Sequence, residues 1–115
     1  MTVPQWLRSK EITARFRVGR EAWQPVTISL NENEGMYITP DGSESGTLQY
    51  VAHGKHPLGG EVLVLHWLEQ KGPLEGNTGI DTLWLQPQDD KVKVCGTFFL
   101  DRTHNGAIDY GEIID

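Results

Sequence analysis

The chain has one cysteine, Cys95, among 115 residues, so no internal disulfide can staple it. A domain of this length buries roughly two-thirds of the surface its unfolded form exposes and needs no such staple. No N-terminal apolar run precedes a cleavage site, and no stretch is long and apolar enough to span a bilayer, so a soluble, cytoplasmic protein is expected. Basic residues are scarce: ten Lys and Arg stand against sixteen Asp and Glu, a net charge of −6. Nucleic acid and membrane surfaces are thereby disfavoured as partners, because both are held by clustered cations. The phosphate-cradling pattern GK[ST] is missing, and Ser29, Ser43 and Ser45 lack the strand–turn–helix setting of a nucleophile elbow. Internal repeats, linkers and low-complexity tracts are absent too, which leaves residues 1–115 as a single domain with no cofactor implied.

What is present is β-structure almost throughout. Lys10–Val18 alternates, with Ile12, Ala14, Phe16 and Val18 on one face and Arg15 and Arg17 on the other. Residues 23–30 repeat the pattern, Val26, Ile28 and Leu30 inward against Thr27 and Ser29. Further strands are predicted over residues 35–39, 45–53, 61–70, 79–86, 91–100 and 107–113, with turn signals at 31–35, 40–42, 54–60, 71–79 and 87–90. Ahead of them Thr2, as cap, and Gln5 three places on mark a short helical segment within residues 1–9 that carries Trp6 and Leu7. The expected fold is all-β: an antiparallel meander of about eight strands over residues 10–115, closed into a small barrel or folded into a sandwich.

Two strands depart from clean alternation. Residues 61–68, EVLVLHWL, are apolar on both faces, as is part of 94–100, which a sheet with one wet face does not need. The outer face is read as the one bearing Leu63, Leu65, Trp67 and Phe99, covered by a loop or helix or by a second copy of the protein; alternatively, the inner face lines a ligand cavity. Of the four tryptophans, Trp67 and Trp84 are assigned to the surface and Trp6 and Trp23 to the core. Leu63, Leu65, Trp67, Trp84 and Phe99 thus form the candidate surface, for a protein partner or self-association first and a small apolar ligand second.

Residues 101–112, DRTHNGAIDYGE, admit two readings. As a calcium loop of EF-hand type they place Asp101, Thr103, Asn105, the Ala107 carbonyl, Asp109 and Glu112 at the ligand positions and Gly106 at the sharp turn. The resemblance covers only this stretch; Thr103 replaces the usual carboxylate or amide, and neither flank has a helical pattern. As a β-hairpin they centre on Asn105-Gly106, the dipeptide best suited to a type I′ turn, with residues 104–107 as the turn. That register sets Arg102 opposite Asp109, Asp101 opposite Tyr110 and Phe98 opposite Ile113. The hairpin is the preferred reading.

Charge is uneven along the chain. Arg8, Lys10, Arg15, Arg17 and Arg20 supply half of all Lys and Arg, while Asp101, Asp109, Glu112 and Asp115 make the C-terminal segment acidic. Adjacent first and last strands with complementary charge explain this, so Arg15 and Arg17 are expected to meet Asp109, Glu112 or Asp115. His53 and His56 have the spacing to begin a zinc site, but Cys95, His66 and His104 are the only further ligands of that kind and lie on separate elements. Cys95, mid-strand beside Gly96, is read as a small buried thiol. Acid/base chemistry, were there any, would use His66 with Asp81 or Glu61.

A short helix followed by strands is similar in architecture to the small meander barrels that bind lipids, biotin-like ligands or pigments. The Gly-x-Trp signature of lipocalins is absent, Gly19 standing four places before Trp23, so only the architecture carries over. The sequence therefore points first to a non-catalytic binding or protein-interaction module, homodimeric through an apolar strand face. A small-molecule-binding barrel or an acid/base enzyme using His66 comes second, and a calcium-binding protein third.

Overall fold

Alternation in Lys10–Val18 produces strand β1, in which Ile12 and Ala14 are buried and Glu11, Thr13 and Arg15 exposed. Seven more strands follow in the computed structural model, which describes residues 3–102 and 107–115, with side chains over 3–100 and 110–115. They are β2 (Gln24–Leu30), β3 (Glu34–Ile38), β4 (Ser45–Lys55), β5 (Glu61–Lys71), β6 (Thr78–Gln88), β7 (Lys91–Arg102) and β8 (Ala107–Ile114). Each pairs antiparallel with the next, and β8 pairs with β1, closing a barrel. Closure removes the exposed strand edges that an open meander would leave and decides barrel over sandwich.

At the seam between β1 and β8 one of the two expected charge pairs, Arg17 with Glu112, is formed, while Arg15 meets a backbone oxygen. Arg17 lies opposite Glu112 and donates from Nη2 to its Oε1 at 3.1 Å, and Arg15 Nη2 donates to the Asp115 carbonyl at 3.0 Å. The Arg17 guanidinium also sits 4.5 Å from the Trp23 ring centroid, a cation–π contact that holds the β1–β2 connection to the same seam.

The N-terminal helical segment is a single 3-10 turn, Gln5–Leu7, preceded by Pro4; Thr2 lies outside the described residues. Val3 and Leu7 are buried in the core at the end of the barrel where β1 begins. Backbone bonds fasten the segment there, Val3 N–H to Glu32 O at 3.1 Å and Ser9 N–H to Leu30 O at 2.8 Å. Beside them Ile12, Leu30, Leu63, Leu65, Leu83, Leu85 and Val94 are all sealed from water.

Two expectations are corrected. Leu63, Leu65 and Trp67 are 1%, 0% and 4% exposed and face the interior, so they are not part of an outer surface; the outward residues of β5 are Val62, Val64, His66 and Leu68. Pairing fixes this: Leu63 is opposite Leu83 and Leu65 opposite Asp81, both buried, and a strand cannot turn one face in without turning the other out. The β7–β8 hairpin is present, but its register sets Arg102 opposite Ala107, Leu100 opposite Asp109 and Gly96 opposite Ile113. Of the turn expected at 104–107, residues 104–106 lie outside the described residues. The sequence could not separate the two registers, because a slip of two residues keeps every side chain on its own face.

Candidate ligand cavity

At the end of the barrel opposite the 3-10 turn lie the β3–β4 and β5–β6 loops. The β3–β4 loop, residues 39–44, is a hydrogen-bonded knot. Asp41 Oδ1 accepts from Thr39 Oγ1 at 2.9 Å, from Ser43 N at 3.0 Å and from Ser43 Oγ at 2.7 Å, while Gly42 takes the positive φ of 71° that the turn requires. The bonds from Ser43 and Thr39 hold the Asp41 carboxyl down at about 2. The knot turns Glu44 inward, with its N–H donating to Thr39 Oγ1 at 3.1 Å. The β5–β6 loop, residues 72–77, wraps Glu69: Leu74 N–H donates to Glu69 Oε2 at 2.6 Å and Gly76 N–H to the Glu69 carbonyl at 2.9 Å.

Between these loops and the packed half of the barrel lies a cavity of about 60 Å3, partly open to solvent. Its wall is mainly apolar and aromatic, with Phe16, Val26, Ile28, Leu48, Trp67, Leu74, Phe98 and Ile113, and its polar groups are Tyr37, Glu44, Glu69 and Asp81. An eight-stranded barrel is just wide enough either to fill with side chains or to hold one small ligand. Three of the rings lie across glycines of the neighbouring strand: Tyr37 opposite Gly46, Trp67 opposite Gly79 and Phe98 opposite Gly111. A Cβ at any of these glycines would collide with the ring. Phe98 further meets Trp67 edge-on, centroids 6.2 Å apart and planes at 83°, and Phe16 at 6.5 Å and 61°.

The polar groups are strongly perturbed. Over Gly46, Tyr37 on β3 reaches Glu69 on β5, donating from its hydroxyl to Oε1 at 3.1 Å. Burial and the adjoining Glu69 and Glu44 carboxylates push the Tyr37 hydroxyl above the usual phenol range. Glu69, 2% exposed, is raised to about 8 by burial first and then by its hydrogen bond to, and the charge of, Glu44. Asp81, 6% exposed, is raised to about 8 by burial alone. Both Glu69 and Asp81 are thereby pushed toward their neutral forms. The indole N–H of Trp67 is buried with no hydrogen-bond partner among the described residues.

The residues singled out from sequence are dispersed. Trp67 lines the cavity; Leu63 and Leu65 belong to the packed half. Trp84 is half-buried outside, where a loop covers it: His56 stacks on its ring at 3.9 Å and its Nε1 donates to the Gly59 carbonyl at 2.8 Å. Phe99 is outward and 48% exposed. Cys95 is half-buried on the outer face, not in the core, since it pairs with outward Trp84. His66 lies opposite Ile80 on the outside while Asp81 points in, so a His66–Asp81 acid/base pair does not form. Glu61 is engaged instead by His53, whose Nδ1 is 3.8 Å from its Oε2. Among the described residues no group of three or more His, Cys, Asp or Glu is placed to hold a metal.

In the calcium reading, strands flank the connection where helices were required, and Glu112 is drawn into the seam by Arg17. An extended β8 also carries Glu112 on the order of 16 Å beyond Ala107, too far to close a loop on a cation. Thr103 and Asn105, and the side chains of Asp101 and Asp109, lie outside the described residues.

Tyr37, Glu44 and Glu69 escaped the sequence reading. A signal existed: Glu69 has the parity of Leu63, Leu65 and Trp67, and Asp81 that of Leu83 and Leu85, acids in a row of buried residues. No protein-family model matches the chain, and neither does any curated protein or solved structure.

Proposed function

We propose that the protein is a non-catalytic binding module that takes a small ligand into the barrel beneath the two loops. The observation that carries this reading is the cavity itself: a mainly apolar, aromatic pocket lined also by a few polar groups, which is the make-up of small-molecule sites. Its volume favours a compact molecule, well below the occupants of clefts of about 300–1,000 Å3. Among the described residues the lining contains no Ser, Cys, Lys or His, and its titratable groups are Tyr37, Glu44, Glu69 and Asp81.

A thermal-shift screen of compact molecules against the wild-type chain and Ile28→Phe tests the proposal. Ile28 lines the cavity, and a phenyl group there reduces its volume. Hits are expected to stabilise the wild type and to lose most of their effect in the filled variant. Hits that persist undiminished in Ile28→Phe, with the variant folded by circular dichroism, would place binding elsewhere and end this reading.

A second reading, self-association, has its own observation. Ile80, Phe99 and Tyr110, respectively 37%, 48% and 45% exposed, stand opposite one another across β6, β7 and β8, a continuous apolar row on the outer wall. A second copy presenting the same row would cover it.

A further inference from the structure

Resting on the reading of the cavity as a ligand site, we propose that its ligand is a compact organic amine, bound as the cation, which also carries a hydroxyl or carbonyl oxygen. Three acids, Glu44, Glu69 and Asp81, are 7%, 2% and 6% exposed and line one cavity, and among the described residues no Lys, Arg or His lines it with them. Carboxyl groups in such a setting repel an anion and gain most from a cation, because an unpaired buried charge is costly and a paired, hydrogen-bonded one is not. A bare metal ion fits the arrangement poorly, since the described acids do not converge as ligands. An organic cation needs no such convergence. Its N–H groups or its diffuse charge can face Asp81 and the Glu44–Glu69 pair separately, while the faces of Trp67, Phe98, Phe16 and Tyr37 attract it by cation–π contact.

Trp67 provides an independent pointer. Its ring is 4% exposed and lines the cavity, and its N–H has no described acceptor. A buried donor normally has a partner. The acids ask for a donor and the indole for an acceptor, a combination met by an amine that bears one oxygen.

Binding is linked to protons. Among the described residues, the titratable groups facing the cavity are Tyr37 from β3, Glu44 from the β3–β4 loop, Glu69 from β5 and Asp81 from β6, and the described lining side chains of β1, β2, β4, β7 and β8 are apolar. Asp81 and Glu69 hold protons at neutral pH, and a cation draws them into the ionised form, so uptake of the ligand releases protons and tightens as pH rises.

Calorimetric titration of the full chain with choline and ethanolamine, and with their uncharged counterparts 3,3-dimethyl-1-butanol and 1-propanol, provides the test. Each cation is expected to bind about tenfold or more tightly than its counterpart. Its affinity should rise by up to about tenfold per unit between about pH 6 and pH 8, with protons released to the buffer. Asp81→Asn, which resembles the neutral acid already present, should keep the wild-type circular dichroism and lose the preference for the cation. Glu69→Gln is a second variant, expected to weaken the pH dependence. Uncharged counterparts that bind as tightly as the cations, and lose binding in Ile28→Phe, would overturn the amine while leaving the cavity reading intact. An absence of binding by both cations at millimolar concentration would also end the amine proposal, whereas binding indifferent to Ile28→Phe would remove the cavity reading beneath it.

Discussion

At Asp81 a carboxyl group sits opposite Leu65 and Phe98 with burial as the sole influence on its ionisation. Its folded value, about 8, lies above its ordinary 3.8. Between those values the native chain keeps a proton that the unfolded chain has lost, so this group makes stability fall as pH rises across the interval, by up to about 1.4 kcal/mol per pH unit. Glu69 acts in the same direction, through burial and its glutamate neighbour. Urea unfolding of the wild type and Asp81→Asn at several pH values from about 5 to 8 should show a shallower decline in the variant. Parallel profiles would mean that Asp81 is ionised in the folded state. The sequence held half of this information: the parity of Glu69 and Asp81 was visible, but which parity faced inward was not. Residues 61–68 offer apolar groups on both faces, and only the pairing of Leu63 with Leu83 settles the choice.

At the scale of elements, the seam between β1 and β8 was legible in the sequence because charge and alternation agreed there. Removing Arg17 and Glu112 singly and together should give a coupling energy of a few tenths to about 1 kcal/mol, as for other half-exposed ion pairs, and it should shrink as salt is added. A coupling of zero would leave the backbone ladder and the Trp23 contact as the forces that hold the seam. The strands themselves were readable because period-two alternation and turn residues agreed along most of the chain: β1 spans the predicted residues, and the remaining ends move by two residues or fewer. Register was less accessible. The β7–β8 hairpin is two residues from its expected pairing, since Asn105-Gly106 marks a turn without stating how many residues flank it.

For the whole molecule, closure into a barrel rests on one long-range pairing, β1 with β8, that no local pattern contains. The same closure turns Ile80, Phe99 and Tyr110 outward as a row, with the Phe99 and Tyr110 rings 6.0 Å apart at 62°. If two copies meet there, Phe99→Glu should convert a dimer to a monomer in sedimentation velocity without altering the fold, because the new charge would have to be buried at the contact. A wild-type chain that sediments as a monomer at high concentration would dispose of the dimer. Leu65→Glu and Trp67→Glu are not suitable probes of that surface: both side chains are internal, so each would unfold the barrel. No helix among the described residues is long and apolar enough to cross a membrane.

The rings of Tyr37, Trp67 and Phe98 each lie over a glycine, at Gly46, Gly79 and Gly111. Seen as heredity, the three positions are unequal. A single-base change turns a glycine codon into an alanine codon, and at Gly111 the nearest atoms the added methyl meets are those of the Phe98 ring. At Gly46 and Gly79 it strikes the backbone carbonyls of Leu68 and Phe99 first, so there the strand pairing itself must give way. Drift at Gly111 would therefore press a ring toward the interior and alter the size of the pocket, while drift at the other two would be lost with the fold.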